Sequence, residues 1–367
     1  MKVIDLDSHS NPRPQDYIVD AEYSHLRPRV YVDSRGTLRE IFNNKIIRSH
    51  SRGDMGGEEA EKSNSRLSYY DGSFRYKDVV DSGVDFQFIS AGSPTMFNYV
   101  DARIGTAFCR AYNDFLYNAF MKPYPKTLMG LPQLPLQSIP ESIRELERCV
   151  KDLGMITFLM PTNLSGTDMA DPYWWNFYDR VRDLGITGIV LHVHSLSAES
   201  KWVGKERLAA LGPEGTRGRR ILSHPFEYST NIVNLIFGGM MDSFPEFRFA
   251  FLETGAEFAL LLKHRIEDNL EIVGYLRNQL AHPLEWYFER FYFVVDERLL
   301  RDGGALLKDA IRELGPDHLF FGSDYPHHGR GDLDMINQLR RVDAVTEETK
   351  EKILGNNVNQ LLGRRLV

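Results

Sequence analysis

A chain of 367 residues, 42% hydrophobic and 26% charged, has the composition of a soluble enzyme with a sizeable core, and barrels with insertions reach this length as one domain. A formal charge of −7 argues against nucleic acid or an anionic membrane surface as partner, and no apolar run is long enough to span a bilayer. Two distant cysteines, Cys109 and Cys149, suit a reducing compartment, and a strand entered by Val3 leaves no room for a secretory leader; the expectation is a cytoplasmic protein.

Hydrophobic periodicity predicts eight strands, in chain order 2–7, 84–90, 127–132, 155–160, 187–193, 248–253, 291–296 and 318–323. Several are near-continuous Val/Ile/Leu/Phe runs, as expected for parallel strands buried on both faces. Helical patterns fill most gaps, at 101–121, 138–152, 172–184, 229–241, 257–279 and 300–313, with 332–341 and 347–362 closing the chain. Ser138 before Pro140, and Asp171 before Pro172, mark helix starts; Leu153-Gly154 and Leu184-Gly185 mark helix ends. Eight alternations of strand and helix predict an α/β fold, a closed (β/α)8 TIM barrel in one domain over 1–367. Residues 10–80 form an insertion after the first strand, and 195–222 one after the fifth. Both leave from C-terminal strand ends, which puts them on the active-site rim as lids or oligomer contacts.

Four of the strands end in ligand-type residues: VIDLDSH (Val3 to His9), IVLHVH (Ile189 to His194), FAFLE (Phe249 to Glu253) and LFFGSDYPHH (Leu319 to His328). Asp7 and His9, two apart, project to the same side. His192 lies closer to its apolar run than His194, so His192 is the expected ligand and His194 a substrate contact. Glu253 follows four apolar residues, and a buried carboxylate without a cation partner is costly; it needs a metal or an arginine. His224, in SHPFE (Ser223 to Glu227), and His327 and His328 can reach the same rim. Each has a plain structural explanation when taken singly: a capping aspartate, a surface histidine, or a helix start for His224 and Glu227. Convergence on one rim is what argues for a metal site.

The expected ligands are Asp7, His9, His192, His224, Glu253, Asp324 and His328, for one or two divalent ions. Mixed imidazole and carboxylate donors suit Zn, Mn or Fe. Asp324, His224 and Glu253 are the expected catalytic groups, with His194 and His327 touching substrate. Rim aromatics (Tyr173, Trp174, Trp175, Trp202, Phe97, Tyr99) would permit a flat organic substrate, although Trp174 and Trp175, at a helix start, read better as core.

These residues, with IDLDSH (Ile4 to His9), FPEFRFAFLETG (Phe244 to Gly255), PLEWYFERFYF (Pro283 to Phe293), FGSDYPH (Phe321 to His327) and KEKILGNNVNQLLG (Lys350 to Gly363), resemble the amidohydrolase superfamily. The resemblance is to the amidohydrolase-2 branch, which contains aminocarboxymuconate-semialdehyde decarboxylase. It implies that Asp7, His9 and His192 hold metal, and that Asp324 binds metal and handles a proton. The decarboxylases of the branch usually carry a His at the end of the sixth strand, where this chain has Glu253.

That departure weakens the decarboxylase reading and strengthens readings with two metals; the expected function is a metal-dependent hydrolase acting on an amide, ester or lactone through a metal-activated water. A dinuclear non-haem iron or manganese oxygenase and a nonoxidative decarboxylase of an aromatic or enoic acid are the alternatives. A non-catalytic partner subunit is a fourth reading. The expected partner is a small-molecule substrate, in a homodimer or in a hetero-oligomer with a related barrel subunit.

Overall fold

The computed structural model describes residues 2–34, 38–50, 64–92, 95–193, 201, 204, 216–327 and 333–366. Eight short parallel strands form its centre: β1 (Ile4–Asp5), β2 (Phe86–Ala91), β3 (Leu128–Gly130), β4 (Leu159–Pro161), β5 (Gly188–His192), β6 (Arg248–Phe251), β7 (Phe291–Val295) and β8 (Leu319–Phe321). Parallel ladders join β1 to β2 to β3, and β4 through β8 in order. Across the β8–β1 seam, Leu6 N donates to Phe321 O (3.3 Å), Asp324 N to Asp7 O (2.9 Å) and His9 N to Tyr325 O (2.8 Å).

Side-chain alternation completes the barrel. In β6, Ala250 points one way while Phe249 and Phe251 point the other; in β7 Tyr292 and Val294 oppose Phe291, Phe293 and Val295. The first set, with Ile4, Phe88, Leu159, Val190, Phe320 and Leu131 just after β3, forms one interior cluster drawn from every strand or its immediate end. The second set packs outward against the helices, which is the period-2 consequence of strands buried on both faces. Among the described residues no ladder links β3 to β4; Leu131 and Leu159 both belong to the interior cluster. The architecture is the predicted (β/α)8 barrel.

Helices α1 (Gly72–Asp81), α2 (Ala102–Leu116), α3 (Ile139–Lys151), α4 (Trp175–Asp183), α5 (Thr216–Phe237), α6 (Glu257–Ile272) and α7 (Ala305–Leu314) alternate with the strands. The α5 helix begins well before the expected residue 229. Pro225 lies inside it, so the helix runs through SHPFE, where a helix start was the plain alternative for His224 and Glu227; a proline removes only one donor from a helix of 22 residues. The fourth strand begins at Leu159 rather than 155, because its ladder to β5 starts at the Leu159–Val190 pair.

Helical residues 347–361 seal the N-terminal end of the barrel. Val358, Leu361 and Leu362 join the interior cluster from below. This approach is so close that a Cβ on Gly188 would lie 2.8 Å from Leu361 O, and one on Gly355 2.6 Å from Lys2 O. The Asn357 amide donates to Pro316 O (2.8 Å) and Leu319 O (2.7 Å), pinning the start of β8.

The stretch expected as a 10–80 insertion ends in the barrel helix α1; before it, Arg29–Val32, Leu38–Phe42 and Lys45–His50 form an antiparallel sheet. Phe42 is buried against Phe97 and Phe108, which ties the insertion to α2. Phe97 is therefore core rather than rim, and so is Trp174, whose indole donates to Asp168 O (3.0 Å). Trp202 lies outside the described residues. No helix is long and apolar enough to cross a membrane.

Candidate metal centre

Each ligand-type side chain is delivered by a strand end or the helix beside it. Asp7 and His9 follow β1, and both are about 1% exposed. His192 is the last residue of β5. His224 comes from the first half of α5, Glu253 lies two residues beyond β6, and Asp324 three beyond β8. A Cβ at Gly322 would lie 2.7 Å from the Cβ of Asp7, so only glycine lets β1 and β8 approach here.

Glu253 and Asp324 have left-handed backbones, φ 59° and 58°. Non-glycine residues are rare there, at a cost of about 1–3 kcal/mol each, and such strain gathers at functional sites. Here it turns two carboxylates inward from strands that would otherwise carry them past the rim.

Glu253 is the hub. Its Oε1 is 3.0 Å from His9 Nε2 and 2.8 Å from His192 Nε2, and its Oε2 is 3.2 Å from His224 Nε2. Each imidazole is held by its other nitrogen: His9 Nδ1 by Ser90 Oγ (2.9 Å), His192 Nδ1 by Val193 O (2.8 Å), His224 Nδ1 by Ser223 Oγ (3.0 Å). Anchoring Nδ1 so that Nε2 faces the centre is the usual construction around a metal. His9 Nε2 is also 2.9 Å from Asp324 Oδ1 and 3.6 Å from Asp7 Oδ1. His327 stacks on the His9 ring at 4.6 Å, with its Nδ1 2.9 Å from the Tyr69 hydroxyl.

Electrostatics mark the same spot. Burial pushes Asp7 well above the usual carboxylate range, and Glu253 and Asp324 add to this against the pull of His9. Burial also opposes the charge on Glu253, but His192, His224 and His9 hold it well below that range. Burial disfavours the charged imidazoles of His9 and His192, yet Glu253 raises both.

The donors fit a divalent ion. Asp7 Oδ1 is buried and accepts no hydrogen bond, a costly condition that a cation relieves. Among the described residues no Lys or Arg forms an ion pair with Asp7 or Glu253. Ligand atoms of Asp7, His9, His192 and Glu253 lie within 4.8 Å of one another, and so do those of His9, Glu253, Asp324 and His327.

The structure thus brings together Asp7, His9, His192, His224, Glu253, Asp324 and His327. His224 stands inside a helix instead of capping one. His194 and His328 lie outside the described residues. Sequence reading missed the supports. Asp5, buried in β1, accepts from Ser323 N (2.9 Å), Ser323 Oγ (2.6 Å) and Gln87 Nε2 (2.7 Å). An acid in the middle of a buried strand was the available signal. Nothing in sequence marked Ser90.

The amidohydrolase family model matches residues 66–364. The chain belongs to the amidohydrolase-2 branch of that family. It is 26% identical over 298 residues to 2-amino-3-carboxymuconate-6-semialdehyde decarboxylase of Dictyostelium discoideum, covering 80% of this chain and 77% of that one. It is 24% identical over 287 residues to gamma-resorcylate decarboxylase of a Polaromonas species, covering 76% and 83%. Among solved structures, 5-carboxyvanillate decarboxylase of Novosphingobium aromaticivorans, determined with bound manganese, matches at TM-score 0.72 and 16% identity over 99% of this chain and 97% of that one. At that identity the structural match speaks to the amidohydrolase-2 fold alone.

Proposed function

We propose that this amidohydrolase-2 protein is a metal-dependent carboxy-lyase, removing CO2 without an oxidant from a small aromatic or enoic acid. The observation that carries the reading is the buried group of Asp7, His9 and His192 beside Asp324 at one barrel mouth, in a chain whose curated relatives above are decarboxylases. That support moves decarboxylation ahead of hydrolysis, the first expectation from sequence.

Asp7, His9 and His192 would hold the ion, with Asp324 at its edge. A divalent metal such as Mn, Zn or Fe would supply Lewis-acid stabilisation of the charge that develops on the substrate as CO2 leaves. The carbon–carbon bond breaks, its electron pair stays on the substrate carbon, and that carbon takes up a proton. Asp324, turned inward by its left-handed backbone and partly exposed at the mouth, is the chain's proton donor to that carbon. His327, held by Tyr69 and 3.5 Å from Asp324 Oδ1, orients that acid. Glu253, where the family's decarboxylases usually carry a His, has its carboxylate against the same Nε2 atoms and would hold the ion with them.

One observation favours a second reading, a two-metal oxygenase. The two ligand groups share His9 and Glu253, and the carboxylate of Glu253 would offer one oxygen to each of two ions. Metal analysis with turnover assays in air and under argon separates the two. One ion per chain with CO2 released equally without oxygen supports the lyase. Two irons or manganeses with oxygen-dependent turnover overturn it.

A further inference from the structure

Arg75, on α1, is completely buried. A buried guanidinium is costly unless its donors are met, so their destinations are informative. Nε donates to Gln87 Oε1 (2.8 Å), Nη1 to His9 O (2.6 Å) and Ser68 O (3.2 Å), and Nη2 to Tyr325 O (3.4 Å). The guanidinium also lies 5.1 Å over the Tyr325 ring. Burial lowers its pKa to about 10, which leaves it cationic at neutral pH.

Two of these acceptors stand on opposite sides of the β8–β1 seam. One is the carbonyl of His9, whose ring is in the metal centre. The other is the carbonyl of Tyr325, next to Asp324. The link continues through Gln87, whose amide donates to Asp5 (2.7 Å), which in turn accepts from Ser323 on the other flank of Asp324. Asp5 and Gln87 are direct cross-strand partners, so the relay follows the register of β1 and β2. Side-chain hydrogen bonds from one cation therefore reach His9 and both neighbours of Asp324.

We propose that Arg75 is a positioning residue of the metal centre, whose guanidinium fixes the spacing of His9 and Asp324 across the barrel seam. It touches no reacting group and works through backbone carbonyls and the Gln87–Asp5–Ser323 relay. A lysine cannot replace it, because a single ammonium cannot meet acceptors arrayed around a planar fork. The proposal rests on the reading that this centre takes a divalent ion.

The test uses the full chain, stripped with chelator and titrated with cobalt(II) chloride, following the d–d absorption bands. Wild type should bind cobalt, while Arg75→Lys, still folded by circular dichroism and melting cooperatively, should bind about 10- to 100-fold more weakly with displaced bands, as when an outer partner of a metal ligand is lost. Gln87→Met, which keeps Arg75 but cuts the relay, should shift the bands the same way with a smaller loss of affinity. Wild-type affinity and band positions in folded Arg75→Lys overturn the proposal. Should Arg75→Lys not fold, wild-type affinity and bands in Gln87→Met overturn it, and weaker binding with displaced bands supports it. A wild-type chain that takes up no cobalt overturns the metal reading and this proposal with it.

Discussion

Where helical residues 347–361 seal the barrel, contacts are apolar or matched: Leu361 and Val358 are fully buried, and the Asn357 amide meets two carbonyls. At the opposite end, Asp7, Glu253 and Asp324 crowd together, Asp7 Oδ1 accepts no hydrogen bond, and two backbones are left-handed. Close approach at the closed end is met by glycines 188 and 355, whereas the open end places side chains on backbone that glycine would adopt more easily. One end is arranged for packing. The other accepts strain and like charge to hold reactive groups in place, the trade expected where function and stability compete.

The sharpest way to break this contrast is to change one end and read both. Asp324→Asn should lower kcat about 100- to 10,000-fold, the usual weight of a general acid. Asn tolerates the left-handed backbone, so the melting temperature should stay within a few degrees (about 1 kcal/mol or less). A large loss of stability instead would mean that the rim carries the fold. Leu361→Ala should do the reverse, costing about 2–5 kcal/mol in urea unfolding, as for other buried leucines. Its metal content per chain and its kcat, at temperatures where it remains folded, should match wild type.

Chelation probes the rim alone. With free metal at 100 to 1,000 times Kd, stripping it should lower stability by about 2.7–4.1 kcal/mol. Leu361→Ala should lose the same increment, because distant sites add. A much smaller loss in that variant would show that the two ends are coupled.

What could be read from sequence divides along the same line. Asp7, His192 and Asp324 were legible only as a set, because several hydrophobic strands of one barrel stop on ligand-type residues at the same rim. Glu253 was legible through the cost of burying a carboxylate. The plug helix was legible as a helix, but its place under the barrel was not, since that depends on Gly188 meeting Leu361 and Gly355 meeting Lys2, contacts between distant parts of the chain. Arg75 was invisible: it lies in the stretch read as an insertion, where no helix was expected, and only the fold brings it beneath His9 and Tyr325. The reading of α5 failed at its start, where a helix expected from 229 begins at Thr216, inside the stretch read as an insertion.

The smallest effect belongs to the closed end, at the Lys2–Asp85 pair, 2.8 Å apart. Lys2 is largely exposed, so Lys2→Met should cost about 0–1 kcal/mol and nothing measurable in 1 M salt, where exposed charges are screened. Asp85 does more, because its second oxygen accepts from Val3 N (2.9 Å) at the entrance to β1. Asp85→Ala should therefore cost about 1–3 kcal/mol, the penalty for leaving a backbone donor unmet, and most of that should persist in 1 M salt. Urea unfolding of both variants at low and high salt separates the ion pair from the backbone contact. If both losses vanish together with salt, charge alone sets the stability of the closed end, and the contrast between a packed end and a charged end of this barrel fails.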